Sequence, residues 1–142
     1  MKNFKLIQSI NINAASSCVW NTLTDKQMIK QYLFGVDTVT DWRKGSPVIM
    51  RGIYNELTFA LKGKVIQVER GKLLKFTYFN SLEGYADLPE NYSLVTYTLE
   101  SQGTYKTKST YEREQIPTVL EYQNAAKYFP MILEQIKMLA EQ

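Results

Sequence analysis

The pattern of residues 118–142 predicts one long amphipathic helix, and the rest of the chain must supply a surface to cover it. Apolar residues recur in this segment at intervals of three and four, which places them on one broad helical face: Tyr122, Ala125, Ala126, Phe129, Ile132, Leu133, Ile136 and Leu139. Thr118 and Glu121 have the spacing of a capping box at its start. Pro130 should bend the axis, because proline deletes one helical hydrogen bond. A helix of this length reaches roughly 35 Å, so only an extended apolar surface can bury its face.

Much of the remaining sequence predicts β-strands, because apolar and polar residues alternate along it. The predicted strands cover residues 4–12, 48–54, 57–68, 74–78, 95–99 and 104–113. The apolar parity changes within the 57–68 strand, so we expect a β-bulge at or near Gly63. Two short helices follow the first strand. The first spans residues 16–23 and places Trp20 in the core, and the second begins with a capping box of Thr24 and Gln27 and ends at Gly35.

Length and composition favour one globular domain that spans residues 1–142. Hydrophobic residues make up 44% of the chain and charged residues 22%, both near the averages for such domains. Aromatic residues reach 13%, which half-buried sheet positions or a pocket wall would accommodate. A domain of this size needs no disulfide for stability, and we expect the single cysteine, Cys18, to be a small buried core residue.

Composition also excludes several classes of function. The sequence contains no histidine, which removes catalytic triads, histidine general bases and nearly every zinc site. We therefore expect neither a metal nor a cofactor. The net charge of +3 is well short of what a dedicated nucleic-acid-binding domain shows. No apolar leader or long apolar run is visible, so we expect no membrane partner and a cytoplasmic location.

The last predicted strand has an unusual inner face. Four hydroxyl side chains share one side of it, Tyr105, Thr107, Ser109 and Tyr111, while Lys106, Lys108 and Glu112 share the other. Each buried hydroxyl needs a hydrogen-bond partner, which a dry core does not readily supply. This pattern therefore favours a partly hydrated cavity. An edge strand that is polar on both sides is the alternative.

Several stretches resemble, in order, the proteins similar to the C-terminal domain of the heat-shock-protein-90 ATPase activator. They are residues 12–25, residues 40–47 with the sequence Thr-Asp-Trp-Arg-Lys-Gly-Ser-Pro, residues 63–78 and residues 89–97. This group belongs to the START-related, birch-pollen-allergen-like superfamily (SRPBCC). The resemblance implies an α+β helix-grip fold, in which a curved antiparallel sheet of six to seven strands wraps around the long C-terminal helix, with two short helices after strand 1. The family commonly has Gly-Trp where this chain has Tyr128-Phe129, which should enlarge the local space.

The resemblance also implies a cavity between sheet and helix, and we expect it to bind a small hydrophobic or amphipathic molecule without catalysis. The candidate ligand-binding residues are large and apolar or aromatic: Trp42, Tyr54, Phe59, Phe76, Tyr78, Tyr97, Tyr111, Phe129 and Leu133. Ordinary core packing is the alternative for each of them. The loop of residues 80–91 is a candidate lid, because it is long and contains Gly84 and Pro89. A hairpin loop that is merely long is the alternative.

Two other classes of function stay open. Some relatives run cyclisation or condensation chemistry in this cavity, and Glu56, Asp87, Glu100 and Tyr111 are conceivable acid–base groups here. A carboxylate that points into the cavity would favour such an enzyme. The family resemblance alone suggests the third class, a chaperone-associated module with a heat-shock protein as partner.

Overall fold

The alternating segments of the sequence form one antiparallel sheet, and the amphipathic C-terminal segment packs against it as a helix. The computed structural model describes residues 4–54, 56–80 and 84–142. In these residues the strands are β1 (Phe4–Ile12), β2 (Asp37–Val39), β3 (Pro47–Tyr54), β4 (Leu57–Glu69), β5 (Leu73–Asn80), β6 (Ser93–Gly103) and β7 (Lys106–Ile116). The helices are α1 (Ser16–Thr24), α2 (Lys26–Tyr32) and α3 (Val119–Ala140), and a short 3-10 turn covers Pro89–Asn91. The predicted α+β helix-grip architecture is confirmed.

The sheet has the strand order β1-β7-β6-β5-β4-β3-β2, and every neighbouring pair is antiparallel. β7 lies between β1 and β6, so the alternative that the last strand is a polar edge strand is wrong. β1 pairs with β7 although most of the chain separates them, with Gln8 opposite Tyr111. This pairing places the inner face of β7 over the middle of the domain.

The inner face of β7 continues the predicted alternation. Thr107, Ser109 and Tyr111 are buried and Arg113 follows them, whereas Tyr105 lies before the strand and is 75% exposed. Thr107 donates a hydrogen bond from Oγ1 to the carbonyl of Ala14 at 2.8 Å. Thr107 is therefore part of the packed core, whereas Ser109 Oγ is buried without a hydrogen-bond partner among the described residues, and neither side chain lines the central pocket described below.

One irregularity interrupts β4, as the sequence predicted. The register between β4 and β5 shifts between Val65 and Gln67, close to the expected position at Gly63. Gly63 itself is required for another reason, because a Cβ there would lie 1.7 Å from the carbonyl oxygen of Thr77. The glycine thus allows the backbones of β4 and β5 to approach each other.

The two short helices form as predicted, but the cap between them is one residue later. The side chain of Asp25 accepts hydrogen bonds from the amides of Gln27 at 2.8 Å and Met28 at 3.2 Å. Thr24 remains in α1 and donates its hydroxyl to the carbonyl of Trp20 at 2.8 Å. Asp25 is the better cap because a carboxylate also interacts favourably with the positive end of a helix.

α1 separates its buried and exposed faces sharply. Val19 and Trp20 belong to the core, as expected for Trp20. Cys18 precedes them and is exposed, so the prediction of a buried cysteine is wrong. The reason is helical geometry, since neighbouring residues are about 100° apart around the axis and cannot all face inward.

α3 lies across the concave side of the sheet and buries Leu133, Ile136 and Ala140. Thr118 caps it, because its Oγ1 accepts a hydrogen bond from the amide of Glu121 at 3.1 Å. The Glu121 side chain does not complete the predicted capping box and contacts another element instead, as described below. Pro130 lies inside the helix, which continues on both sides of it.

Among the helices of the described residues, none combines the length and the apolarity that crossing a membrane requires.

Candidate functional site

A pocket of about 260 Å³ lies between the concave face of the sheet and α3. This volume is slightly below the usual range of ligand pockets, which is roughly 300–1,000 Å³, so the pocket suits a small molecule. Aromatic side chains dominate its wall: Tyr32, Trp42, Phe76, Tyr78, Tyr97, Tyr111, Tyr128 and Phe129. Strands β5, β6 and β7 supply one side, and α3 supplies the other. A wall of this kind suits a ligand with a flat apolar body.

The structure brings six of the nine predicted ligand-binding residues together in this pocket: Trp42, Phe76, Tyr78, Tyr97, Tyr111 and Phe129. Leu133 does not line the pocket; it is 3% exposed and packs into the core from α3. The backbone of Tyr54 ends β3, and its side chain lies outside the described part of the molecule.

Phe59 also lies elsewhere. It is opposite Gly52 in the β3–β4 pair, and its ring covers that glycine so closely that a Cβ at position 52 would be 2.7 Å from the ring. The ring lines a separate depression together with Phe34 and Ile53. Phe59 therefore uses its apolar surface to cover the end of a hairpin.

Stacked rings join the sheet to α3. The rings of Tyr111 on β7 and Phe129 on α3 are nearly parallel, with centroids 3.6 Å apart and an interplanar angle of 15°. Tyr97 on β6 packs at 58° against Tyr111, with centroids 5.3 Å apart. These three rings hold α3 at a fixed height above the sheet, and that height sets the width of the pocket.

Trp42 forms another part of the wall in an unusual backbone conformation. Its φ of 56° is in the left-handed region, which costs a residue with a Cβ about 1–2 kcal/mol. Its indole Nε1 donates a hydrogen bond to the carbonyl of Thr24 at 2.9 Å, and its ring packs at 60° against Phe76, with centroids 5.6 Å apart. The hydrogen bond fixes the indole at the end of α1, so the pocket wall there is held in place.

Burial keeps the phenols of the pocket neutral. Desolvation raises the pKa values of Tyr32, Tyr97 and Tyr111, because their ionised forms would lie in an apolar surrounding. Tyr32 donates its hydroxyl to the carbonyl of Leu23 at 2.9 Å. At neutral pH these tyrosines are therefore uncharged wall residues.

The sequence analysis missed one constellation, a buried ion pair in the pocket wall. Arg113 follows Tyr111 on the inner face of β7, and its Nη2 donates to Glu121 Oε1 on the first turn of α3. The two side chains are only 7% and 9% exposed, and both line the pocket. The alternation of β7, extended two residues beyond Tyr111, predicts an inward Arg113. Glu121 was assigned to a capping box, and its local pattern contains no sign of the ion pair with Arg113.

Further contacts hold the guanidinium of Arg113. Its Nε donates to Ser93 Oγ on β6 at 3.0 Å, and its Cζ lies 4.7 Å from the ring centroid of Tyr78. Burial alone would lower the pKa of Arg113, but Tyr78, Tyr111 and Glu121 hold it above its ordinary value. The guanidinium is thus a permanent cation whose charge is balanced inside the protein. Glu121 Oε2 is buried and has no hydrogen-bond partner among the described residues.

The carboxylates considered for catalysis lie outside the pocket. Glu56 and Glu100 are exposed, and neither lines it. Asp87 forms an ion pair with Lys62 and accepts a hydrogen bond from the Tyr92 hydroxyl at 2.6 Å. Lys62 and Asp87 are both about half exposed and neither lines the pocket, so the ion pair holds the Asp87 carboxylate outside it.

This anchor also bears on the candidate lid. Residues 84–91 are the described part of the predicted lid loop, and none of them lines the central pocket. Asp87 and Pro89 instead line a groove that contains Lys62 and Lys64 of β4. This part of the loop lies away from the pocket wall, a lid role stays a prediction, and residues 81–83 lie outside the described residues.

A curved antiparallel sheet closed by a long C-terminal helix over an apolar pocket defines a helix-grip domain of the START-like class. The sequence model of one family, described as "Activator of Hsp90 ATPase homolog 1-like protein", matches residues 13–141. The chain belongs to this family, as its sequence resemblance indicated. A search of curated proteins found no match to the sequence.

Solved structures agree with this assignment. The solution structure of a protein from Cytophaga hutchinsonii is 30% identical, with 96% of this chain and 94% of that chain covered and a TM-score of 0.78. A crystal structure of a Chromobacterium violaceum protein has a TM-score of 0.81 at 17% identity, with 97% of each chain covered. A crystal structure of a Mesorhizobium loti protein has a TM-score of 0.77 at 20% identity, with 96% of each chain covered. The two crystal structures share the fold.

Proposed function

We propose that this protein binds a small hydrophobic or amphipathic molecule, without catalysis, in the pocket between the sheet and α3. The observation that carries the proposal is the pocket itself, about 260 Å³ of space walled by aromatic rings on three strands, on α2 and α3, and at Trp42 between β2 and β3. A well-formed apolar pocket with a few convergent polar groups is the usual form of a ligand site.

Two observations support binding over catalysis. The carboxylate that lines the pocket, Glu121, already accepts a hydrogen bond from Arg113 in a buried ion pair, so it is engaged in a structural contact. The pocket phenol of Tyr111 has a pKa raised by burial, so it is a poor source of a nucleophilic phenolate at neutral pH. An enzyme that used Tyr111 as an acid–base group would need a phenol with a pKa closer to neutral.

A thermal-shift screen of the intact chain tests the proposal. The panel contains fatty acids, sterols, flavonoids and aromatic polyketides, each in a matched series of sizes. A ligand at a hundred times its Kd adds about 2.7 kcal/mol to the unfolding free energy, which raises Tm by roughly 5–10 °C for a domain of this size. A panel in which no compound raises Tm would contradict the proposal.

Two variants show whether a hit occupies this pocket. Ala125 lines it from α3, so Ala125→Trp should fill the space and abolish the ligand-induced shift. Gln123 is exposed on the same helix and does not line the pocket, so Gln123→Trp should keep the full shift. A shift that survives Ala125→Trp would place the ligand at another site.

Association with a heat-shock protein stays a prediction that the family description suggests. α3 does carry exposed apolar residues, among them Leu120, Met131 and Met138, which a protein partner could cover. The test is co-precipitation with the heat-shock protein 90 of the same cell, repeated with Leu120 and Met131 replaced by lysine. Co-precipitation that the wild type shows and this variant loses would favour the chaperone-associated function over ligand binding. A cytoplasmic location is likewise a prediction.

A further inference from the structure

Pro130 divides α3 into two halves that differ in burial. The structure describes all of α3, and among residues 119–129 only Glu121 is buried. Residues 131–140, which follow the proline, include the buried Leu133, Ile136 and Ala140. We call residues 119–129 the proximal half and residues 131–140 the anchored half. A segment with few buried side chains opens more easily than one fixed in the core, so the proximal half is the part of α3 that can move.

The backbone before Pro130 lacks one of the hydrogen bonds that keep a helix rigid. Proline has no amide hydrogen, so the carbonyl of Ala126 loses its donor within the helix. A side chain of the sheet replaces this donor, because Gln8 Nε2 on β1 donates to the Ala126 carbonyl at 3.4 Å. The replacement is longer than an ordinary N–H···O bond, which measures roughly 2.7–3.2 Å. α3 is therefore easiest to bend at this point.

The part of the pocket wall that α3 supplies lies mainly on the proximal half. Six residues of α3 line the pocket, and five of them precede the proline: Glu121, Asn124, Ala125, Tyr128 and Phe129. The opposite wall lies on β5, β6 and β7, which are joined to one another by strand pairing. A movement of the proximal half away from the sheet would therefore open the pocket on its α3 side and leave the sheet intact.

The anchored half has connections to the end of β1 that such a movement would preserve. Lys137 Nζ donates to the carbonyl of Asn11 at 3.0 Å. Glu141, directly after the helix, accepts a hydrogen bond from the amide of Asn13 at 2.7 Å. Both bonds lie near the C-terminal end of α3, more than one helical turn beyond Pro130. The anchored half can thus stay in place while the proximal half swings.

The ion pair of Arg113 and Glu121 holds the start of the proximal half against β7. Both side chains lose their hydration in the closed position, and their attraction roughly offsets that cost. Both regain water when they separate together, so the pair fixes the closed position without preventing release. The stacked rings of Tyr111 and Phe129 add an apolar contact in the same position.

We propose that the proximal half of α3 is a lid over the pocket, that Pro130 is its hinge, and that a ligand enters and leaves when the Arg113–Glu121 pair separates. This inference rests on the proposed ligand-binding function and adds the route by which the ligand reaches the pocket. It does not involve residues 84–91, which lie away from the pocket wall.

Amide hydrogen exchange of the intact, ligand-free chain, followed by NMR, tests the hinge. The amides of residues 123–129 should exchange at least about tenfold faster than those of residues 134–140. Pro130→Ala restores the donor to the Ala126 carbonyl and should slow exchange in residues 123–129 at least about fivefold. Pro89→Ala makes the same change outside α3 and should leave both halves unchanged. Equal exchange in the two halves, or no slowing in Pro130→Ala, would overturn the inference whatever the pocket binds.

Stopped-flow fluorescence with 2-naphthol, a flat two-ring probe, tests whether this movement admits a ligand. Pro130→Ala should lower the association and dissociation rate constants by the same factor, at least about fivefold, and leave Kd unchanged, because it slows opening without altering the closed pocket. Gln8→Met removes the replacement donor and should raise both rate constants, whereas Pro89→Ala should change neither. Rate constants that Pro130→Ala leaves unchanged would overturn the inference and leave the ligand-binding function standing. Absence of 2-naphthol binding would overturn both.

Discussion

Removing one partner of the buried Arg113–Glu121 ion pair should lower the free energy of unfolding far more than removing one partner of an exposed pair. Arg113→Met keeps a long apolar side chain on β7 but leaves the Glu121 carboxylate buried without its cation. Because the two side chains are 7% and 9% exposed, water cannot replace the lost partner. The expected loss is about 3–5 kcal/mol of unfolding free energy, or a fall in Tm of roughly 10 °C or more. Urea unfolding followed by circular dichroism measures it.

Two further variants complete the experiment. Lys5 and Glu114 form a second pair on β1 and β7 at 3.9 Å, with side chains 48% and 35% exposed, so Lys5→Met should cost less than about 1 kcal/mol. The double variant Arg113→Met with Glu121→Leu removes both charges and should recover most of the loss, since buried pairs are often replaceable by apolar residues. A loss below about 1 kcal/mol in Arg113→Met would refute the argument that this pair is desolvated.

Three more predictions concern other parts of the domain. Trp42 lines the pocket and Trp20 does not, so ligand binding should change the fluorescence of Trp20→Phe but not that of Trp42→Phe; the opposite result would misplace the pocket. Gly63→Ala should lose several times more stability in urea than Gly71→Ala, because a Cβ at Gly63 meets the backbone of β5 whereas at Gly71 nothing lies within 4 Å and only the positive φ costs about 1–2 kcal/mol. Burial raises the pKa of Tyr97, so its contribution to stability is present below about pH 10, where the unfolded chain begins to ionise, and is lost above it. Tyr97→Phe should therefore lose less stability than the wild type between pH 8 and pH 11, and equal losses would contradict this account.

Local patterns in the sequence were sufficient to predict most of the fold. Alternation fixes a strand and its inner face without knowledge of its neighbours, and Phe76, Tyr97 and Tyr111 accordingly lie on the inner face that lines the pocket. The cap at Thr118 was also correct, because a cap depends only on the next three residues. Periodicity along one helix or strand is a local property, and a single sequence contains all of it.

The parts that could not be predicted depend on contacts between distant segments. The same Glu121 that fits a capping box locally has a stronger partner in Arg113, which only the packing of α3 against β7 brings near it. Similarly, Phe59 has the parity of a core residue, but its strand pairing places it over Gly52 at the end of a hairpin. The candidate lid depends on where Lys62 anchors its loop, and no pattern inside the loop contains that information.

The pairing of β1 with β7 has a consequence for how the protein is made. Gln8 finds its strand partner, Tyr111, only after about a hundred further residues have been synthesised, so β1 leaves the ribosome long before it can be paired. Contacts of such large sequence separation slow folding, because the chain must be ordered over a long loop before they form. Each strand from β2 to β7 can pair with its neighbour along the chain first, whereas the pairing of β1 with β7 must form last. During translation the nascent chain therefore carries an unpaired N-terminal strand, which makes β1 the segment most in need of protection from aggregation.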